Sequence, residues 1–173
     1  MASHPILGRM TSSLSSSGGN HAFVIVESCF GSTRAVAEQI AQGLHEGGVA
    51  AQVLSPEQAT ADRIADAWLL ALGAPTHNRG LPTATSRAQA GNGDTMGLRE
   101  WLAAAQIAAD VRLAAFDTVI RRSWLSGSAA KRIVRALRRP NISVHSFVVT
   151  GSRGPLADGQ AQAARNWGTQ LAR

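Results

Sequence analysis

Short apolar runs alternate along this chain with segments patterned for helix, and that alternation leaves few folds open. Strand-like runs occupy residues 22–27, 50–54, 67–73, 111–116 and 142–149. Segments of helical period separate or follow them at 33–47, 57–66, 97–106, 127–139 and 158–171. Gly47-Gly48 ends the first of these helices and Pro140-Asn141 the fourth. Strands that alternate with helices predict a parallel sheet with right-handed crossovers and helices on both faces. A length of 173 residues suits one domain with a sizeable core, and 45% apolar residues fits a globular chain. No run of eighteen apolar residues occurs, so no spanning helix is expected. Residues 1–20 are rich in Ser and Gly, without the apolar stretch of a secretory signal. They read as a disordered leader before a domain at 21–173. The single cysteine, Cys29, excludes an internal disulfide and points to a reducing cytoplasm.

The first strand-to-helix junction carries the clearest chemistry. The run Ala22–Val26 stops at a loop of small and hydroxyl residues, Ser28, Gly31, Ser32 and Thr33. A helical stripe of Val36, Ala37, Ile40, Ala41 and Leu44 follows at once. Free N–H groups of a first helical turn, the helix dipole and nearby hydroxyls together favour an anion, most simply a phosphate. The bland alternative is a helix N-cap by Ser32 or Thr33. No Gly-Lys-Ser/Thr is present, so a triphosphatase loop is excluded. Nor is there a G-x-G-x-x-G turn for a dinucleotide.

The pattern Ser28-x-x-Gly31-x-Thr33, with Phe30 before the glycine, resembles the phosphate loop of flavodoxins, most closely of actinobacterial type. The resemblance continues through Gly73-Ala-Pro-Thr-His77, Thr85-Ser-Arg87, Ser146–Leu156 and Arg165-Asn-Trp-Gly168, covering roughly residues 21–172. It implies a three-layer α/β fold with strand order 2-1-3-4-5, and a ligand at the switch between strands 1 and 3. It further implies non-covalent FMN and electron transfer with redox partner proteins in a bacterial cytoplasm. By this resemblance Ser28, Cys29, Phe30, Gly31, Ser32 and Thr33 would surround the phosphate. Pro75, Thr76, His77, Asn78, Arg79 and Gly80 would cover one flavin face, with His77 stacking or remaining an ordinary loop histidine. The loop after strand 4 would supply Phe116, Asp117, Thr118 and Trp124. Asp117 and Thr118 would reach the ribityl hydroxyls or the pyrimidine edge. Trp124 would either stack on the ring or anchor the core.

Two features depart from the family pattern. Carrier flavodoxins are typically acidic, whereas this chain has a formal net charge of +6. Its fourth helical segment carries Lys131, Arg132, Arg135, Arg138 and Arg139, either a solvated face or a docking patch for an acidic redox partner or a 2′-phosphate. No aromatic-interleaved basic motif points to nucleic acid. The chain also lacks tyrosine altogether, the usual outer-face aromatic. Other readings on one topology are an NAD(P)H-dependent FMN or quinone reductase and a cofactor-free interaction module. A low-molecular-weight phosphatase would use Cys29 as a thiolate of lowered pKa, but Arg34 stands five positions on instead of six. A receiver domain fails because the third strand ends in Leu72-Gly73, without an aspartate.

Overall fold

The computed structural model describes residues 20–77, 79–120 and 127–173. Five strands, β1 (His21–Val26), β2 (Ala50–Leu54), β3 (Ala67–Pro75), β4 (Arg112–Val119) and β5 (Ser143–Val148), form one parallel sheet in the order β2-β1-β3-β4-β5. The order is the one expected. The inner strands β1, β3 and β4 are buried almost throughout because helices cover both faces. Edge strand β5 (SVHSFV) is more exposed and correspondingly more polar.

Helices α1 (Ser32–Glu46) and α5 (Gln160–Leu171) pack on one face. Val36, Ile40 and Leu44 of α1 meet Trp167 and Leu171 of α5 and the Phe116–Phe147 pair of the sheet in one core. The two helices approach closely because both present glycine. A Cβ on Gly43 would lie 1.9 Å from Arg165 O, and one on Gly168 would lie 2.2 Å from Ile40 O. The other face is covered by α3 (Leu98–Ala104) and α4 (Ala129–Leu137), with Leu98, Trp101, Ala130 and Ile133 buried on Leu70, Leu72 and Ala115.

Two local expectations change. Residues 57–66 form no helix but successive turns, with Ala59 N–H bonded to Ser55 O and Ile64 N–H to Thr60 O. Ala59 and Ile64 are both buried, and residues five apart lie about 140° apart around a helix, so one helix would not bury both. A short helix α2 (Ala84–Gln89), outside the helical segments expected from the sequence, follows β3 instead. It begins with a capping box in which the Thr83 and Ser86 side chains each accept the other's backbone N–H. The remaining element ends agree with expectation to within two residues, except that β4 runs three residues further, to Val119.

Candidate functional site

At the C-terminal edge of the sheet, β1 leads to α1 on one face and β3 leads to the other, which opens a crevice between the two loops. The crevice is a cavity of about 270 Å³ lined by Cys29, Phe30, Ser32, Thr33, Pro75, Thr76, His77, Thr118, Ile120, Val149 and Ser152. Loops after β1, β3 and β4 thus converge as the sequence implied. Asn78 and Trp124 lie outside the described residues.

The loop after β1 is an amide-rich turn. Gly31 is the residue before α1 and adopts φ +95°, in the left-handed region that glycine enters without strain. The Ser28 hydroxyl accepts from Gly31 N–H at 3.1 Å and Arg34 N–H at 3.3 Å. Neither Ser32 nor Thr33 caps the helix, so the N-cap alternative is replaced by Ser28. The amides of Cys29, Phe30, Ser32 and Thr33 have no hydrogen-bond partner among the described residues, and the first turn of α1 holds no acid. An anion is therefore accommodated there by unspent donors and the helix dipole. The hydroxyls are used differently. Thr33 Oγ1, buried, lies 2.9 Å from Thr118 Oγ1 and bridges the loop to β4. Ser32 Oγ donates to Gly154 O at 2.7 Å and holds the loop after β5 against the crevice.

The N-terminus of α4 contrasts with that of α1. Asp117, wholly buried, accepts through Oδ2 from Thr76 Oγ1 at 2.8 Å, Ser128 Oγ at 2.6 Å and Ala130 N–H at 3.1 Å. The positive end of α4 is thereby already neutralised. Asp117 anchors the loop after β3 to α4 and does not line the crevice, and Phe116 is likewise enclosed in the core. These two side chains are therefore placed behind the crevice wall, not on its surface. His77 lines the crevice, with its backbone exchanging two 2.9 Å hydrogen bonds with Gly80. Gly80 is buried behind this turn, and Arg79 occupies it with φ +67°.

Ile120, Val149 and Ser152 were not anticipated. For Ser152 a signal was present in Thr150-Gly-Ser-Arg-Gly154, another small and hydroxyl-rich loop at a strand C-terminus. The Arg153 guanidinium lies 4.9 Å over the Phe30 ring and adds positive charge beside the amide turn. Phe30 and Ile120 are among the few exposed large apolar side chains, and both face the crevice. Exposed apolar walls with a few convergent donors are the usual make-up of a small-molecule site.

Beneath the turn, Glu27 and Arg87 form a buried ion pair, Oε1 to Nη1 at 3.5 Å, and Arg87 Nη2 reaches Glu100 at 3.1 Å. Leu98 N–H donates to Glu27 at 2.8 Å. Burial raises the Glu27 carboxyl above the ordinary range despite these partners. For Glu100, burial opposes the charge, but the Arg87 guanidinium and nearby amides outweigh it and the net direction is down.

Burial, reinforced by the Glu27 charge, also pushes the Cys29 thiol up, and Arg87 offsets this only in part. The lowered thiol needed for phosphatase chemistry is thus reversed. Arg34 is turned to Glu38 at 3.1 Å. Of the basic residues read on the fourth helical segment, Arg138 and Arg139 lie beyond the end of α4. The Arg139 guanidinium donates to the carbonyls of Val111 at 3.1 Å and of Ile107 and Ala108, a structural tie and not a free patch.

The sequence model of the flavodoxin family matches residues 24–167. This chain belongs to the flavodoxin family. Solved structures of the same fold include a flavodoxin from the domain Archaea, at 21% identity and TM-score 0.57, covering 88% of this chain and 96% of that one. Oxidised flavodoxin 1 of Bacillus cereus aligns at 13% identity and TM-score 0.57, over 88% of this chain and 97% of that one. The flavodiiron core of Flv1 from Synechocystis aligns at 22% identity and TM-score 0.58, over 91% of this chain but 36% of that longer one. No curated protein sequence matches significantly. The family normally binds FMN. Among the described residues no helix is long and apolar enough to cross a membrane.

Proposed function

We propose that this chain binds FMN non-covalently in the crevice and transfers electrons between protein partners in the cytoplasm. The observation that carries the reading is the turn at Ser28–Thr33, which borders a crevice with apolar walls and which, among the described residues, has unpartnered amides and no carboxylate beside it in the lining. A phosphate dianion fits that donor set. The flat ring system fits between Phe30, Pro75, His77 and Ile120. When bound, FMN supplies reversible transfer of one or two electrons.

The chain's own part is binding, orientation and exclusion of water. Amides at Cys29, Phe30, Ser32 and Thr33 hold the phosphate. The Thr33–Thr118 and Ser32–Gly154 bonds fix the mouth between the loops after β1, β4 and β5. The Thr76–Asp117–Ser128 network holds the loop through Arg79 and Gly80 against α4. Asn78 and Trp124 enter this reading on the family resemblance alone.

Purified protein is expected to be yellow, or to become so on FMN titration. Calorimetry is expected to show FMN binding at least about tenfold tighter than riboflavin, since a tenfold ratio corresponds to 1.4 kcal/mol and the phosphate makes several charge-assisted bonds. Protein that stays colourless and gives no heat with saturating FMN would overturn the proposal.

A further inference from the structure

Behind the turn at His77–Gly80 lies a second recess of about 220 Å³, lined by His77, Arg79, Gly80, Leu81, Thr83, Ser86, Arg99 and Arg132. Its volume is many times the 10–15 Å³ or so that one water needs. Among the described residues three arginines line it and no carboxylate does. None of the three takes part in an ion pair among the described residues, while Arg34, Arg87 and Arg165 are all paired. Arg99 makes one bond, from Nη2 to Leu81 O at 3.0 Å, which fixes the guanidinium and leaves its other donors for a ligand. Arg132 comes from α4, Arg99 from α3 and Arg79 from the loop after β3, so three separate elements bring like charges together. All three are exposed, so water screens their mutual repulsion and leaves their donors accessible to an anion.

His77 lines both this recess and the crevice, so the two share a wall. We propose that the arginine recess binds the phosphate groups of a small phosphorylated redox substrate that approaches the flavin crevice. Planar guanidinium forks match phosphate oxygens in pairs, and an open recess rimmed by exposed arginines admits a compact polyanion from solvent. The anion site stands on its own geometry. Only the ligand's redox role rests on the FMN reading.

The test is calorimetric titration of inorganic pyrophosphate into the purified protein at low salt, with and without saturating FMN. Binding with Kd at or below about 1 mM is expected in both states. Arg132→Gln is expected to weaken it at least tenfold, whereas Arg135→Gln, on the same helix but outside the recess, is expected to change it less than twofold. FMN affinity is expected to be unchanged in Arg132→Gln. Pyrophosphate that competes with FMN occupies the Ser28–Thr33 turn, and that result overturns the proposal. Equal losses in both variants, or no pyrophosphate heat while an acidic peptide binds through Arg132, overturn it too. Failure to bind FMN would remove the flavin reading but leave the pyrophosphate result standing.

Discussion

Gly31 governs the candidate site at the scale of single residues. Its φ of +95° lets the chain turn into α1 with four amides unpartnered among the described residues, and space for a Cβ is open. A larger residue there therefore meets backbone strain of about 1–2 kcal/mol, not a clash. Gly31→Leu is expected to weaken FMN at least about tenfold while changing riboflavin little, because the loss falls on the phosphate amides. Fluorescence titration with both ligands checks this, and equal losses would place the phosphate elsewhere. Asp117 is the opposite case, a polar residue whose work is structural. It satisfies Thr76, Ser128 and the α4 amide at once, so Asp117→Ala, which leaves these neutral donors unpaired, is expected to cost about 1–3 kcal/mol in urea unfolding. The sequence made Gly31 legible because loop chemistry is local. Asp117 was misplaced because its partners come from residues 76 and 128–130, and one chain position does not reveal what folds over it. The direction of the Cys29 thiol was hidden for a related reason: its own burial, then the Glu27 charge, push it up, and neither is local to the loop's sequence.

Among the elements, the α1–α5 pair is the tightest contact and the easiest to test. Gly43 and Gly168 each face a backbone carbonyl of the other helix at a distance no Cβ tolerates. Gly168→Ala is expected to destabilise by about 1–3 kcal/mol through helix separation, although alanine favours an isolated helix. Urea midpoints decide it; a gain in stability would mean the helices are not in this contact. The network linking β1, α2 and α3 predicts two opposite pH slopes. Glu27 is raised above the ordinary value of 4.5, so its ionisation costs stability as pH rises past that value. Glu100 is lowered, so its contribution is full above 4.5 and lost as pH falls. Above 4.5, Glu27→Gln is expected to gain on wild type as pH rises; below 4.5, Glu100→Gln is expected to lose ground to wild type as pH rises towards that value. Parallel slopes would sink the assignment. All five strands and four helices were readable because each carries a buried stripe with period two or near 3.6, or a continuous apolar run. Helix α2 was not, since six residues offer too little periodicity and its capping box, Thr83 with Ser86, departs from the usual Glu or Gln partner. The turns at 57–66 were misread because the apolar spacing there serves two separate turns.

For the whole molecule, the two cores are halves of one structure because they share every inner strand of the sheet. Val24 and Ala71 face α1, while Ile25 and Leu72 in the same strands face α3 and α4. Losing either helical layer strips the strands that the other one needs, so a single cooperative thermal transition is expected. The candidate site lies where both layers meet the sheet edge, with its turn on α1 and its opposite wall tied to α4 through Asp117. A ligand in that crevice binds only when both layers are in place. It therefore stabilises the entire domain by mass action, not one loop. At FMN about a hundredfold above its Kd the gain is about 2.7 kcal/mol. For a chain of this size that shifts Tm by about 5–10 °C, with the transition remaining single. Calorimetric scans with increasing FMN check both parts. A fixed Tm would remove the ligand from the folded state's site. A second transition that FMN leaves in place would show that α3 and α4 unfold independently of the crevice, contrary to the shared-sheet argument.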